Sequence, residues 1–194
     1  NDLFVCGEQG YHTYRIPAVV RTCQGVVLAF CEGRKHGIGD AGTIDLLMRR
    51  SMDCGGVWEP TRVLFSEDPK DKVTWGNPSP VVDQRSGRIS LLLCRNNRQV
   101  FVAHSEDAGE TWTGRREITD ALRSFDFPWK RIGTGPVNGI QLANGRLAMP
   151  VWLNDAIGGI YRAGVILSDD GGLSWRPGGL LPDSVKDCGE STVA

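Results

Sequence analysis

An eight-residue pattern occurs three times in this chain, and it constrains the fold more than any other feature. Ser51-Met52-Asp53-Cys54-Gly55-Gly56-Val57-Trp58 has the form S-x-D-x-G-x-x-W, which Ser105–Trp112 and Ser168–Trp175 repeat at spacings of 54 and 63 residues. The chemistry is that of a tight turn. The aspartate accepts hydrogen bonds from backbone N–H groups that follow it, glycine supplies a positive φ, and tryptophan packs the hairpin on its neighbours. Each box follows an apolar run, so the unit reads strand–turn–strand, and recurrence at this interval points to a β-repeat architecture. The box aspartates have a sufficient structural task and are assigned no chemistry.

The rest of the chain agrees with an all-β class. There are 25 glycines in 194 residues, nearly twice the ~7% of ordinary proteins. Short apolar runs are expected as strands at 16–22, 26–31, 44–50, 79–83, 89–94, 100–104, 139–142, 147–153 and 163–167. Gly25, Ser86-Gly87, Asn96-Asn97 and Asn144-Gly145 separate them as turns. Only 118–125, closed by Pro128, has a helical pattern of a turn or two. Net charge is −1 without Lys/Arg blocks, which argues against nucleic acid or an anionic membrane surface as partner. No apolar run approaches the ~18 residues of a membrane-spanning helix. The six cysteines form no C-x-x-C pair and the three histidines are scattered, so no metal site is expected. Cys31 and Cys94 close apolar runs and read as small buried hydrophobes.

Further motifs give the repeats a family. Tyr14-Arg15-Ile16-Pro17, Glu32-Gly33-Arg34 followed by Asp40-Ala41-Gly42-Thr43-Ile44-Asp45, Gly76-Asn77-Pro78-Ser79-Pro80-Val81-Val82-Asp83, Gly135-Pro136 with Gly139–Leu142 and Asn144–Leu147, and Gly189-Glu190-Ser191 occur in this order. Together with the boxes they resemble the sialidase (neuraminidase) superfamily of Asp-box glycoside hydrolases. The resemblance implies a six-bladed β-propeller, residues 1–194 covering about the first three blades, with the remainder expected C-terminal to Ala194. It implies an exo-α-sialidase that removes terminal α-linked sialic acids from glycoconjugates with retention. It implies no cofactor, and an extracellular or periplasmic location, or a lysosomal one in a eukaryote.

The resemblance also distributes roles. Arg15 matches the first of three arginines that grip the substrate carboxylate, a task suited to a planar guanidinium. Asp40 matches the acid/base, although Asp45 competes for that role from the start of the next strand. Glu190 matches the base for a tyrosine nucleophile. The nucleophile and two further arginines come later in the family pattern, and none of Tyr11, Tyr14 or Tyr161 is assigned to the role. Arg34 and Asn77 match substrate-contacting side chains. Trp75 and Trp152 are expected to line the sugar pocket, with core packing an equal alternative for each. The isolated chain is expected to be inactive. Rival readings are a non-catalytic or degenerate sialoside-binding propeller, a structural Asp-box protein of the sorting-receptor kind, which would lack the Tyr-Arg-Ile-Pro motif, and a trans-sialidase.

Overall fold

A computed structural model of the chain describes residues 2–155, 158–185 and 187–194. Among these, thirteen strands and two short 3-10 helices build three antiparallel sheets. The first sheet is β1 (Thr13–Arg21), β2 (Val27–Arg34), β3 (Ile44–Ser51) and β4 (Arg62–Phe65), in that order. The second is β5 (Trp75–Val82), β6 (Ile89–Arg95), β7 (Gln99–Ser105) and β8 (Arg116–Glu117). The third runs β10 (Ile140–Gln141), β11 (Leu147–Asn154), β12 (Tyr161–Ser168) and β13 (Arg176–Leu180), with β9 (Arg131–Thr134) also pairing with β11. The 3-10 turn at Thr119–Leu122 occupies the one segment with a helical pattern.

Every strand expected from the apolar runs is present. β4, β8, β9 and β13 were not expected, and their composition explains why. β8, β9 and β13 hold two to five residues rich in arginine, glycine or proline, so no apolar run marks them, and in β4 the apolar run is only the three residues after Arg62. In contrast, β2, β3, β5, β6 and β11 are buried on both faces, as strands sandwiched between sheets must be. Two main clusters fill the space between sheets. One joins Leu28, Phe30, Leu46, Met48, Trp75 and Leu91 of the first and second sheets, and the other joins Leu92, Val102, Ile132, Met149, Ile166 and Trp175 of the second and third. Cys31 and Cys94 are buried and all six cysteines are free thiols; burial pushes the Cys94 thiol up to about 11.

The three boxes adopt one geometry, each following the third strand of its sheet. The serine hydroxyl donates to the aspartate at 2.8 Å in all three: Ser51 to Asp53, Ser105 to Asp107, Ser168 to Asp170. The same aspartate oxygen accepts the N–H of Val57, Thr111 or Ser174 at 2.8–2.9 Å. The serine Oγ accepts the glycine N–H at 2.8–2.9 Å from Gly55, Gly109 and Gly172. These bonds satisfy the turn locally and hold Asp107 at about 2, the Thr111 hydroxyl and N–H contributing most.

A second irregularity also recurs. The strand at the start of each sheet is interrupted by a positive-φ residue followed by proline: Ile16-Pro17 (φ 54°), Asn77-Pro78 (φ 55°) and Gly135-Pro136 (φ 73°). In β1 and β5 the ladder slips there, between Arg15 and Ala18 and between Gly76 and Ser79. In the third sheet the break separates β9 from β10. Such bulges re-aim side chains.

Candidate active site

The recurring bulges lie at one end of the sheets and the boxes at the other. Strand β3 leaves the bulge end at Ile44 and enters its box at Ser51, a span of roughly 25 Å at about 3.3 Å per residue. The boxes therefore take no part in what is assembled at the opposite end.

There, a pocket of about 240 Å³ is lined by residues from all three sheets and the C-terminal segment. Arg15 from β1, Arg34 from the end of β2, Asp40 from the loop that follows, Asn77 from the β5 bulge, Trp152 from β11 and Glu190 converge on it. Asp40 is held on the rim, its side chain 75% exposed. Its Oδ1 accepts from Arg15 Nη1 at 3.1 Å and from Arg34 Nη1 at 2.8 Å. Arg15 remains half exposed, so its guanidinium is reachable by an incoming anion, whereas the Arg34 side chain is only 3% exposed.

Beneath Arg34 lies Glu32, two residues earlier on β2 and so on the same strand face. Its Oε2 accepts Arg34 Nε at 3.0 Å and Nη2 at 2.7 Å, and its Oε1 accepts the backbone N–H of Asn77 at 3.0 Å. Burial raises the Glu32 pKa, against the lowering pull of Arg34 and the Asn77 N–H. Room for the carboxylate exists because the neighbouring residue is Gly76, where a Cβ would collide with Oε1. Asn77 is pinned in turn: its Nδ2 donates to Asn97 Oδ1 at 2.8 Å and its carbonyl accepts Thr134 Oγ1 at 2.7 Å. Glu32 stands in the Glu32-Gly33-Arg34 motif but is assigned no role there, although a Glu–x–Arg pair inside a buried strand already demands a mutual ion pair. Asn97, Arg131 and Tyr161 also line the pocket, brought there by turns and strand ends that carry no local signal.

Two expectations resolve differently. Trp152 lies on the pocket wall against Gly133, with the Tyr161 ring centroid 5.8 Å away. Trp75 does not reach the pocket. It is 1% exposed and sits in the core against Phe65 and Phe101, with Arg115 4.5 Å over its ring. The slip between Gly76 and Ser79 turns Asn77 to the site and leaves Trp75 facing between the sheets. Asp45 likewise stands apart from the pocket. It is buried, accepting from the Tyr11 hydroxyl at 2.8 Å and pairing with Lys35 at 2.9 Å, and it anchors the base of the loop carrying Asp40. Burial, followed by Asp45, pushes the Tyr11 hydroxyl far above the ordinary phenol range. Among the described residues no group of His, Cys, Asp and Glu could hold a metal ion, and no helix is long and apolar enough to cross a membrane.

The arrangement places an accessible arginine, an exposed aspartate and an exposed glutamate around a small polar cleft with one aromatic wall. That set can bind an organic anion and shuttle protons at its rim.

Comparison with known proteins agrees. The model of the BNR repeat-like domain matches residues 25–190. An exo-alpha-sialidase from Aspergillus fumigatus is 33% identical over 77% of this chain and 43% of its own length. A sialidase from Micromonospora viridifaciens is 32% identical over 91% of the chain and 30% of its own length. Human sialidase-4 is 30% identical over 88% of the chain and 41% of its own. Among solved structures, the Hadza microbial sialidase Hz136 superposes with a TM-score of 0.81 at 27% identity, over 89% of this chain and 38% of that one. The chain thus spans less than half the length of these relatives, and its antiparallel sheets share the architecture of sialidase β-propellers. It belongs to the BNR repeat-like domain family, within the sialidase superfamily.

Proposed function

We propose that residues 1–194 supply three blades of a six-bladed catalytic propeller and one side of the active site of a retaining exo-α-sialidase. The observation that carries this reading is the meeting of Arg15, Asp40 and Glu190 in one pocket, from positions up to 175 residues apart. The substrate is the terminal α-linked sialic acid of a glycoprotein, glycolipid or oligosaccharide. Arg15 receives its carboxylate, taking over a guanidinium edge that contacts Asp40 in the structure. Asp40, released toward the scissile bond, protonates the departing glycosidic oxygen and afterwards takes a proton from the attacking water. Glu190 is the base for a tyrosine contributed by the remainder of the protein. A phenol suits this centre because the anomeric carbon bears a carboxylate, which repels an anionic nucleophile; with a pKa near ~10, the phenol needs a partner to remove its proton. Arg34 and Asn77 contact the sugar, and Trp152 forms the wall for its N-acyl or glycerol arm. The chemistry needs no cofactor, and a glycan substrate of this kind places the protein outside the cell, in a periplasm or in a lysosome.

The test uses the complete reading frame and a sialoside reporter. Turnover is expected to fall at least a hundredfold in Asp40→Ala and in Glu190→Ala, with the α-anomer of sialic acid appearing first by NMR. Wild-type-like turnover in either variant overturns the assignment, and sialoside binding without turnover in the native protein favours a binding propeller. Transfer to an added acceptor sugar in place of water would identify a trans-sialidase. Residues 1–194 alone are expected to show no turnover.

A further inference from the structure

Beside the pocket, at the loop bearing Asp40, lies a second cavity of about 500 Å³, which shares Asp40, Thr74, Asn97 and Arg131 with it. Its distinctive lining is cationic: Lys72, Arg98 and Arg131 face one concavity. All three are exposed, and none makes an ion pair among the described residues. On the neighbouring β2 and its loop, by contrast, Arg34 pairs with Glu32 and Asp40, and Lys35 pairs with Asp45. The one carboxylate in the cavity, Asp40, is already held by two arginines.

The three cations stand on backbone that is stitched together. Lys72 ends the 3-10 turn Pro69–Asp71 in a left-handed conformation, its N–H bonded to the Pro69 carbonyl. Arg98 closes the β6–β7 hairpin, whose Asn96 and Asn97 both have positive φ. Arg131 opens β9. The Asn96 N–H donates to the Thr74 carbonyl at 2.9 Å, the Thr74 N–H to Asn96 Oδ1 at 2.9 Å, and the Ile132 N–H to the Asn97 carbonyl at 3.0 Å. Residues within two positions of each cation are therefore fixed to one another. Three positive charges so arranged repel until an anion enters between them, and a guanidinium binds carboxylate or sulfate oxygens with directional, charge-assisted bonds.

We infer that this cavity is a subsite for a second negative charge on the glycan, apart from the carboxylate bound in the first pocket. The charge is a carboxylate of a further acidic sugar or a sulfate ester; both present the same oxyanion chemistry. The inference rests on the sialidase reading for its substrate, and its consequence is a preference for multiply charged sialosides over those with a neutral core.

The full-length protein is assayed for kcat/KM on sialyllactose, α2,8-disialyllactose and 6-sulfo-sialyllactose, in 50 mM and 500 mM NaCl. One or both acidic substrates are expected to be favoured roughly three- to tenfold at low salt, the scale of two exposed ion pairs, and much less at high salt. In Lys72→Gln/Arg98→Gln that preference disappears while sialyllactose turnover stays within twofold, and Lys72→Arg/Arg98→Lys retains it. The disialyl and sulfo arms identify the source of the charge. If neither acidic glycan is favoured, or if the double Gln variant leaves the ratio unchanged, the subsite is refuted. Should sialyllactose itself not turn over, the sialidase reading fails, and the ratio of dissociation constants for the same three glycans still decides whether the cavity selects anions.

Discussion

The site's rigidity depends on a hydrogen atom at Gly76. A Cβ on this residue falls inside contact distance of Glu32 Oε1 and 3.1 Å from Cδ. The φ of Gly76 is ordinary, so Gly76→Ala introduces no backbone strain and tests the side-chain collision alone. Glu32 has no easy retreat, because Arg34 holds one oxygen at 2.7 and 3.0 Å and the Asn77 N–H holds the other at 3.0 Å. Displacing it breaks at least one charge-assisted bond, worth about 1.5–3 kcal/mol. It also leaves a nearly buried Arg34 short of its partner, which brings the total loss to about 3 kcal/mol. With a urea m-value near 2 kcal/mol per molar, the unfolding midpoint should fall by about 1.5 M. Gly114→Ala, where nothing lies within 4 Å, is the control and should stay within about 0.5 kcal/mol of wild type. The same displacement frees Arg34 and Asp40, so sialoside kcat should drop with it. A second change, Glu32→Asp in the Gly76→Ala background, shortens the carboxylate arm and should cost less than the sum of the two single changes. A Gly76→Ala protein within 0.5 kcal/mol of wild type, or strict additivity with Glu32→Asp, would refute the reasoning.

Other consequences can be checked separately. A Cβ at Gly133 would stand 2.5 Å from Trp152 Cζ2, so Gly133→Ala should push the aromatic wall into the pocket, cost about 1–3 kcal/mol and raise the sialoside KM; an unchanged KM would mean that Trp152 does not shape the cleft. Trp175 is buried in the core and Trp58 is only partly covered, although both donate to a box carbonyl at 3.0 Å. Chemical denaturation should therefore show Trp175→Ala losing about 3–5 kcal/mol and Trp58→Ala markedly less, and equal losses would contradict the burial difference. Asp107 titrates at about 2 because Thr111 and Ser105 hold its ionised form, below the ~3.9 of an unfolded chain. Its stabilisation is complete above that value and fades as pH falls toward 2. Asp107→Asn should then flatten the fall in urea midpoint between pH 5 and pH 3, and an unaltered slope would show that the box bonds do not favour the carboxylate.

What could be read from the residues alone followed the range of the interactions. The boxes were legible because every bond in them closes within four residues. Arg15, Asp40 and Glu190 carry no such local signature; only their motifs marked them, and the fold supplies the proximity. Trp75 shows the limit. Period-two alternation would place Trp75 and Asn77 on one face, but the bulge at Asn77 breaks that alternation, and no local pattern announces a positive φ at asparagine. Glu32 was hidden for a different reason: its partners are Arg34, which was visible, and the N–H of Asn77, which is 45 residues away. The recurrence of a positive-φ residue before proline in Arg15-Ile16-Pro17, Gly76-Asn77-Pro78 and Thr134-Gly135-Pro136 is a second repeat that only the backbone shows. It is harder to see than the boxes because only the proline is constant.

Those three prolines have an effect beyond aiming side chains. β1, β5 and β10 are the terminal strands of their sheets, and a terminal strand offers an open row of donors and acceptors to any extended peptide. At Pro17 in β1, at Pro78 in β5 and at Pro136, in the break before β10, the donor is missing, and the preceding residue has a positive φ. An invading strand could not zip past that point along any of these three edges. The kink that builds the pocket thus also interrupts pairing along the pocket-side edge of each sheet.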